Sequence, residues 1–323
     1  GGSIGEHYAH FTQHKLYDID KSSTKADTSY MEVLYDYDVP FVFIDPDETY
    51  EDLNTLLHEF GHANAEYENP QSPFYDLVGF SIDTSEMHSQ GMQTLFIESA
   101  QDILGDEEGK AFSENIIFYM IDSILSGCLF DEFQKYAYQE ADSTLDDLNR
   151  KYEQLYNEYG MDRFSDSIYL NDWTSVSHNF TSPLYYITYA TSAVPVLDMW
   201  VSSNGNRQTA SEKYQKIAGC DVYTPYKEAC SQCSLSDIFD TQALERIAYQ
   251  SEYYFENGSL DPAYITYEEN LTPAYDPGSD TEISDEEYSE EKAVPAVNGI
   301  LSGRAFIIPF IGNIRILIFC AAA

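Results

Sequence analysis

Apolar positions along the 323-residue chain recur mostly at helical intervals, and they alternate in only one short stretch. Residues 31–37 and 40–44 alternate about a turn at 36–38, which predicts two short strands. Over residues 49–67, Leu53, Leu56, Leu57 and Phe60 fall on one helical face. Thr49 and Asp52 stand at capping-box spacing ahead of that face, and Pro70 lies beyond its end. Further helical patterns cover 81–104, 111–125, 128–141 and 143–158, then run from near 183 towards 202, and cover 208–217 and 241–256. Residues 1–30 read as polar and irregular. The expected fold is mostly α, with a small β-sheet beside the 49–67 helix.

The pattern fails after residue 257. Residues 258–292 are poor in aliphatics and rich in Asp, Glu, Ser and Pro, the composition of a solvated linker or tail. Residues 300–323 are apolar but broken by Arg304, Pro309, Asn313 and Arg315, short of the roughly 18 uncharged residues a clean membrane span needs. A poor anchor, an interfacial segment and an extraneous read-through all stay open for that stretch. The expected division is a folded unit over 1–257, an acidic tail over 258–299 and an apolar end over 300–323.

Charge narrows the partners. With 56 acidic against 16 basic residues, the formal net charge is −40, which repels phosphate backbones and excludes nucleic acid. The same field disfavours anionic membranes and draws in cationic peptides, although adaptation for solubility explains it as well. The five cysteines are an odd number and make no disulfide framework. Cys230-Ser231-Gln232-Cys233 lacks a second pair at zinc-finger spacing, leaving reduced structural thiols or a Cys220–Cys230 bridge as the ordinary readings.

The chemistry centres on His58-Glu59-Phe60-Gly61-His62. Two histidines four apart share one helical face and can hold one zinc ion per chain, with the intervening glutamate placed to take a proton from water. Glu86 follows at a distance that completes a three-ligand site with an open fourth position. Of the seven histidines, His7, His10 and His14 lie in the first fifteen residues and read as a polar stub.

These residues resemble the thimet oligopeptidase family of zinc metallopeptidases, especially its oligoendopeptidase F branch. The resemblance runs from about residue 30 to 255. It rests on Pro40-Phe41-Val42-Phe43-Ile44, the 58–63 helix, and Asp83-Thr84-Ser85-Glu86-Met87-His88-Ser89-Gln90. Downstream it includes 125–136, His178, Pro183 and Tyr185-Tyr186-Ile187-Thr188-Tyr189. It implies a gluzincin-type catalytic domain without the large N-terminal helical portion that covers the cleft in that family. It also implies cleavage of short unfolded peptides and, by family habit, a cytoplasmic setting; the acidic composition and apolar end equally suit an extracytoplasmic or surface-attached one.

The resemblance and the chemistry together assign roles. His58, His62 and Glu86 are expected to hold zinc, with Glu59 as general base. Tyr189 and Tyr186, with His178, are expected to face the oxyanion. Asp83, one turn before Glu86, is either a hydrogen-bond partner of a ligand histidine or a helix N-cap, and His88 packs beside the cleft. Pro40 suits an edge strand, so Phe41, Val42 and Phe43 are expected to pair with the substrate backbone. A dipeptidyl carboxypeptidase and a catalytically silent peptide-binding module are the alternatives. The Ser-Gln after Glu86 disfavours the first and the intact Glu59 the second.

Overall fold

The computed structural model describes residues 2–25, 28–69, 81–161, 171–220 and 223–263. Among these, the chain is mostly helical with one small sheet. Helix α1 (Gly2–Gln13) precedes β1 (Tyr17–Asp18), β2 (Tyr30–Leu34) and β3 (Val39–Phe43). Then follow α2 (Tyr50–Glu68), α3 (Ser85–Leu104), α4 (Asp106–Gln139), α5 (Leu145–Glu158) and the short α6 (His178–Thr181). The last four helices are α7 (Ile187–Ser203), α8 (Arg207–Ala218), α9 (Tyr226–Gln232) and α10 (Thr241–Asn257).

Local chemistry sets several boundaries. Thr49 and Asp52 close a capping box on α2, and Thr144 and Asp147 do the same for α5. The side chains of Asn206 and Asp240 cap α8 and α10.

At the centre lies α3, which packs against α2, α4, α7 and α8. Every residue from Glu86 to Thr94 is buried, polar ones included. A helix enclosed on all sides must satisfy its polar groups internally, so this stretch is costly unless it serves a site.

Some expected elements differ. The polar start forms α1 and docks on α2: Phe11 is buried, Tyr8 meets Phe60 edge-on, and His7 Nδ1 lies 3.0 Å from Asn64 Oδ1. Ile4, Tyr8 and Phe11 carry helical spacing within this stretch, which the sequence reading took as polar and irregular. The helices expected over 111–125 and 128–141 are one helix, α4. Its Gly127 is not a break but a contact, since a β-carbon there would stand 2.8 Å from that of Ala190 on α7. The helix expected from 183 begins only at Ile187, because the chain turns through Leu184 at φ 64°, a conformation rare for a leucine. The folded part also passes residue 257: Leu260 is buried and Asp261 accepts from Tyr249 at 2.7 Å. The rest of the expected tail and the apolar end, from 264 onward, lie outside the described residues. No described helix is long and apolar enough to cross a membrane.

The sheet order is β1-β3-β2, with β1 parallel and β2 antiparallel to β3. The strand carrying Phe41, Val42 and Phe43 is therefore central, not an edge. Pro40 is tolerated there because β1 is only two residues long and does not reach it. Val42 is in the core, and Phe43 stacks on Tyr30 beneath the Lys25 ammonium.

Among the cysteines, Cys220 Sγ lies 3.8 Å from Cys233 Sγ, and no described cysteine is in a disulfide.

Candidate metal centre and active site

Helix α2 presents His58 and His62 one turn apart, their rings 5.0 Å apart and nearly perpendicular. Gly61 between them lets α3 come close. A β-carbon at that position would lie 2.5 Å from the His88 carbonyl oxygen and 2.6 Å from Ser89 Cα. Only glycine allows this approach, and the approach carries Glu86 to the histidines. Glu86 Oε2 stands 3.4 Å from His58 Nε2 and 3.6 Å from His62 Nε2.

These spacings test whether the residues fit a metal. They are long for hydrogen bonds, which fall at about 2.7–3.2 Å. They match the roughly 3.3 Å between donors that share one tetrahedral zinc at about 2.0–2.1 Å each. Burial holds His62 neutral, its pKa lowered to about 4, so its nitrogen lone pair is available. Burial alone would raise the pKa of Glu86, but the two imidazoles and hydrogen bonds from Tyr185 and Ser89 outweigh it and keep the carboxylate ionised. Two imidazoles and one carboxylate suit a divalent ion. No other cluster of His, Cys, Asp and Glu able to hold a metal occurs among the described residues, so neither the Cys230–Cys233 pair nor His7, His10 and His14 forms one.

The ligands are held from behind. Gln93 Nε2 donates to Asn54 Oδ1 at 2.7 Å, which leaves Gln93 Oε1 to accept from His58 Nδ1 at 3.1 Å. The His58 proton is thereby placed on Nδ1 and Nε2 is bared towards the site. Tyr185 donates to Glu86 Oε1, and Ser89 donates to Oε2 at 2.9 Å. Sequence reading assigned Gln93 and Tyr185 no role. Gln93 had a weak signal, since it lies two helical turns after Glu86; Tyr185 lies in the turn before α7, where periodicity says nothing.

Asp83 occupies neither expected place. It is exposed, Thr84 is the N-cap residue of α3, and the Asp83 group that is engaged is its backbone carbonyl, by Thr191 Oγ1 at 3.4 Å. His88 is buried with its ring 6.3 Å from that of His62, outside the ligand cluster.

Glu59 is 7% exposed beside the metal ligands, and burial raises its pKa, towards the range of a proton acceptor that also returns its proton. Its carboxylate takes a backbone hydrogen bond from Met31 of β2. His58 and Glu59 open into a cavity of about 360 Å³ that Tyr189 and Tyr119 also line. Burial raises the Tyr189 pKa, so its phenol keeps its proton for donation.

Tyr186 turns away. It hydrogen-bonds Ser126, packs against Phe130, and lines a second cavity with His178. His178 Nε2 lies 3.5 Å from the Tyr189 hydroxyl. Of the three expected oxyanion groups, Tyr189 alone lines the cavity of His58 and Glu59.

The sequence matches the profile of Peptidase family M3 over residues 4–248 of 323. The chain belongs to peptidase family M3. This is a family of metallopeptidases, and the mostly helical fold with its small sheet is an M3 fold. A solved structure described as an oligoendopeptidase F superposes with a TM-score of 0.72 at 23% identity, covering 80% of this chain and 46% of that one. PZ peptidase A with an inhibitor gives 0.70 at 21%, covering 79% and 46%. A protein described as an oligoendopeptidase F from Bacillus anthracis gives 0.66 at 20%, covering 79% and 44%. The chain thus spans less than half the length of these M3-like structures. No curated protein matches it.

Proposed function

We propose that this M3 chain is the catalytic part of a zinc-dependent endopeptidase acting on short, unfolded peptides. The observation that carries the reading is the convergence of His58, His62 and Glu86 within 4.8 Å, with Glu59 beside them in the same cavity as His58. Zinc bound by these three would polarise a peptide carbonyl and make water a nucleophile near neutral pH.

The chain's own groups supply the remainder. Glu59 accepts the proton of the attacking water and returns it to the leaving amine. Tyr189 donates its phenolic hydrogen to the developing oxyanion. Strand β2 holds the substrate backbone. Val42 donates to Leu16 O at 3.0 Å and Ile44 to Asp18 O at 2.9 Å, so alternate residues of β3 are directed at β1. Met31 and Val33 oppose Val42 and Pro40, hence direct their own N–H and C=O outward from the sheet. The Met31 N–H acts on the Glu59 carboxylate, which supports a reading in which this outward edge faces the site. An extended peptide laid along β2 engages main-chain groups of any sequence, whereas a folded protein cannot present its backbone there.

The test combines metal analysis with a series of internally quenched peptides. The expected result is about one zinc per chain, hydrolysis of short peptides, and loss of hydrolysis with metal retained in Glu59→Gln. Hydrolysis that survives in zinc-loaded Glu59→Gln would overturn the mechanism.

A further inference from the structure

The second cavity carries a feature the peptidase chemistry does not use. It has a volume of about 290 Å³ and lies between α4, the segment before α6 and the start of α7. One water occupies about 30 Å³, so the space suits a side chain rather than a lone solvent molecule. Asp122 of α4 lines it, together with Ser123, Ser126, Ser177 and the rings of Tyr119 and Tyr186. Among the described residues that line this cavity, Asp122 is the only carboxylate.

Two observations give the cavity a use. Tyr119 and Tyr189 line both this cavity and the one holding His58 and Glu59, so the two spaces share a wall. A peptide whose carbonyl meets Tyr189 therefore places a neighbouring side chain at the mouth of the second space. Asp122 also has no ion pair or hydrogen bond with any described residue, and burial raises its pKa. Among the described residues that line the cavity, the His178 imidazole is the one group able to carry a positive charge, and the carboxylate has no Lys or Arg beside it.

We propose that the Asp122 cavity is a substrate subsite for the side chain of arginine. The guanidinium suits it better than an ammonium. Its planar fork matches the carboxylate and nearby serine hydroxyls, and its face stacks on Tyr119 or Tyr186. The proposal rests on the peptide-binding reading of the neighbouring site. It differs from the general attraction of the −40 charge for cations, which is not tied to one peptide position and is screened by salt.

The test places arginine, lysine, leucine or glutamate singly at each position of one peptide frame. Two quantities are read on the full chain loaded with zinc: kcat/KM for the peptides, and fluorescence-anisotropy affinity of the same peptides for the Glu59→Gln chain. The expected result is one position at which arginine is favoured about tenfold over leucine at moderate salt. That preference should vanish in Asp122→Asn and persist in Asp122→Glu, while cleavage of the all-neutral peptide is unchanged. A preference of equal size at every position, or one that survives Asp122→Asn, overturns the subsite, as does failure of arginine peptides to bind. An Asp122-dependent arginine preference in binding without cleavage supports the subsite and removes the hydrolytic reading instead.

Discussion

Tyr185 donates its phenolic hydrogen to Oε1 of Glu86, while Oε2 of the same carboxylate faces His58 and His62. The bond fixes which oxygen turns to the metal position and helps keep the group ionised in a buried setting. Removing the hydroxyl in Tyr185→Phe should lower zinc affinity about 10–100-fold with little change in melting temperature. Chelator-competition titration measures this, and an unchanged affinity would leave Tyr185 a packing residue.

Gln93 and Asp83 make a paired comparison. Gln93→Leu removes the acceptor that holds the His58 proton on Nδ1, so zinc should bind about tenfold or more weakly. Asp83→Ala touches an exposed side chain and should bind zinc as the parent does. The reverse order of affinities would reinstate Asp83 as the partner of a ligand histidine.

Gly61→Ala should be among the most damaging single-atom changes. The added β-carbon meets backbone at 2.5 Å, which no side-chain movement relieves, and overpacking of this kind costs about 1–3 kcal/mol. Because the contact spaces α2 from α3, zinc affinity should fall together with melting temperature. Loss of stability with full zinc affinity would show that the helices part elsewhere.

Tyr189 and Tyr186 separate by the cavity each lines. Tyr189→Phe should lower kcat by roughly 10²–10³ with a small effect on KM, as expected for a donor used chiefly in the transition state. Tyr186→Phe keeps the ring that lines the Asp122 cavity and should leave kcat close to that of the parent. Equal losses in kcat from both variants would mean that both phenols reach the oxyanion.

Asp122 also has a signature in stability. Burial raises its pKa in the folded state above the unfolded value of about 3.9. Folding therefore favours the protonated acid: the contribution is fully present below pH ~4 and is lost as pH rises through the raised folded value. Asp122→Asn escapes that loss, so its melting temperature relative to the parent should increase between pH 4 and pH 7.5. A relative decrease over that range would reveal a stabilising partner for the carboxylate.

Sequence alone determined the elements whose signals are local. The α2 face of Leu53, Leu56, Leu57 and Phe60, its Thr49–Asp52 capping box, and the His58–His62 spacing are all set within one stretch of helix. Glu86 was legible from its distance after the histidine pair and from the family resemblance, since no local rule links residues on two helices. The mostly helical class with its small sheet followed from periodicity in the same way.

What tertiary structure decided were relations between segments. Pro40 pointed to an edge strand, yet β1 pairs on the far side of β3 and makes β2 the open edge; strand order depends on where distant segments pack. Gly127 falls between the two expected helical stretches, yet one helix runs through it, with Ala190 of α7 set against it. Gln93, Tyr185 and Asp122 are ordinary residues in sequence. Their roles come from burial and from neighbours 35 residues away for Gln93 and 99 for Tyr185, and, for Asp122, from the cavity it lines. Helix propensity and capping act within a few residues, whereas the cost of burying a polar group is set by whatever the fold places beside it.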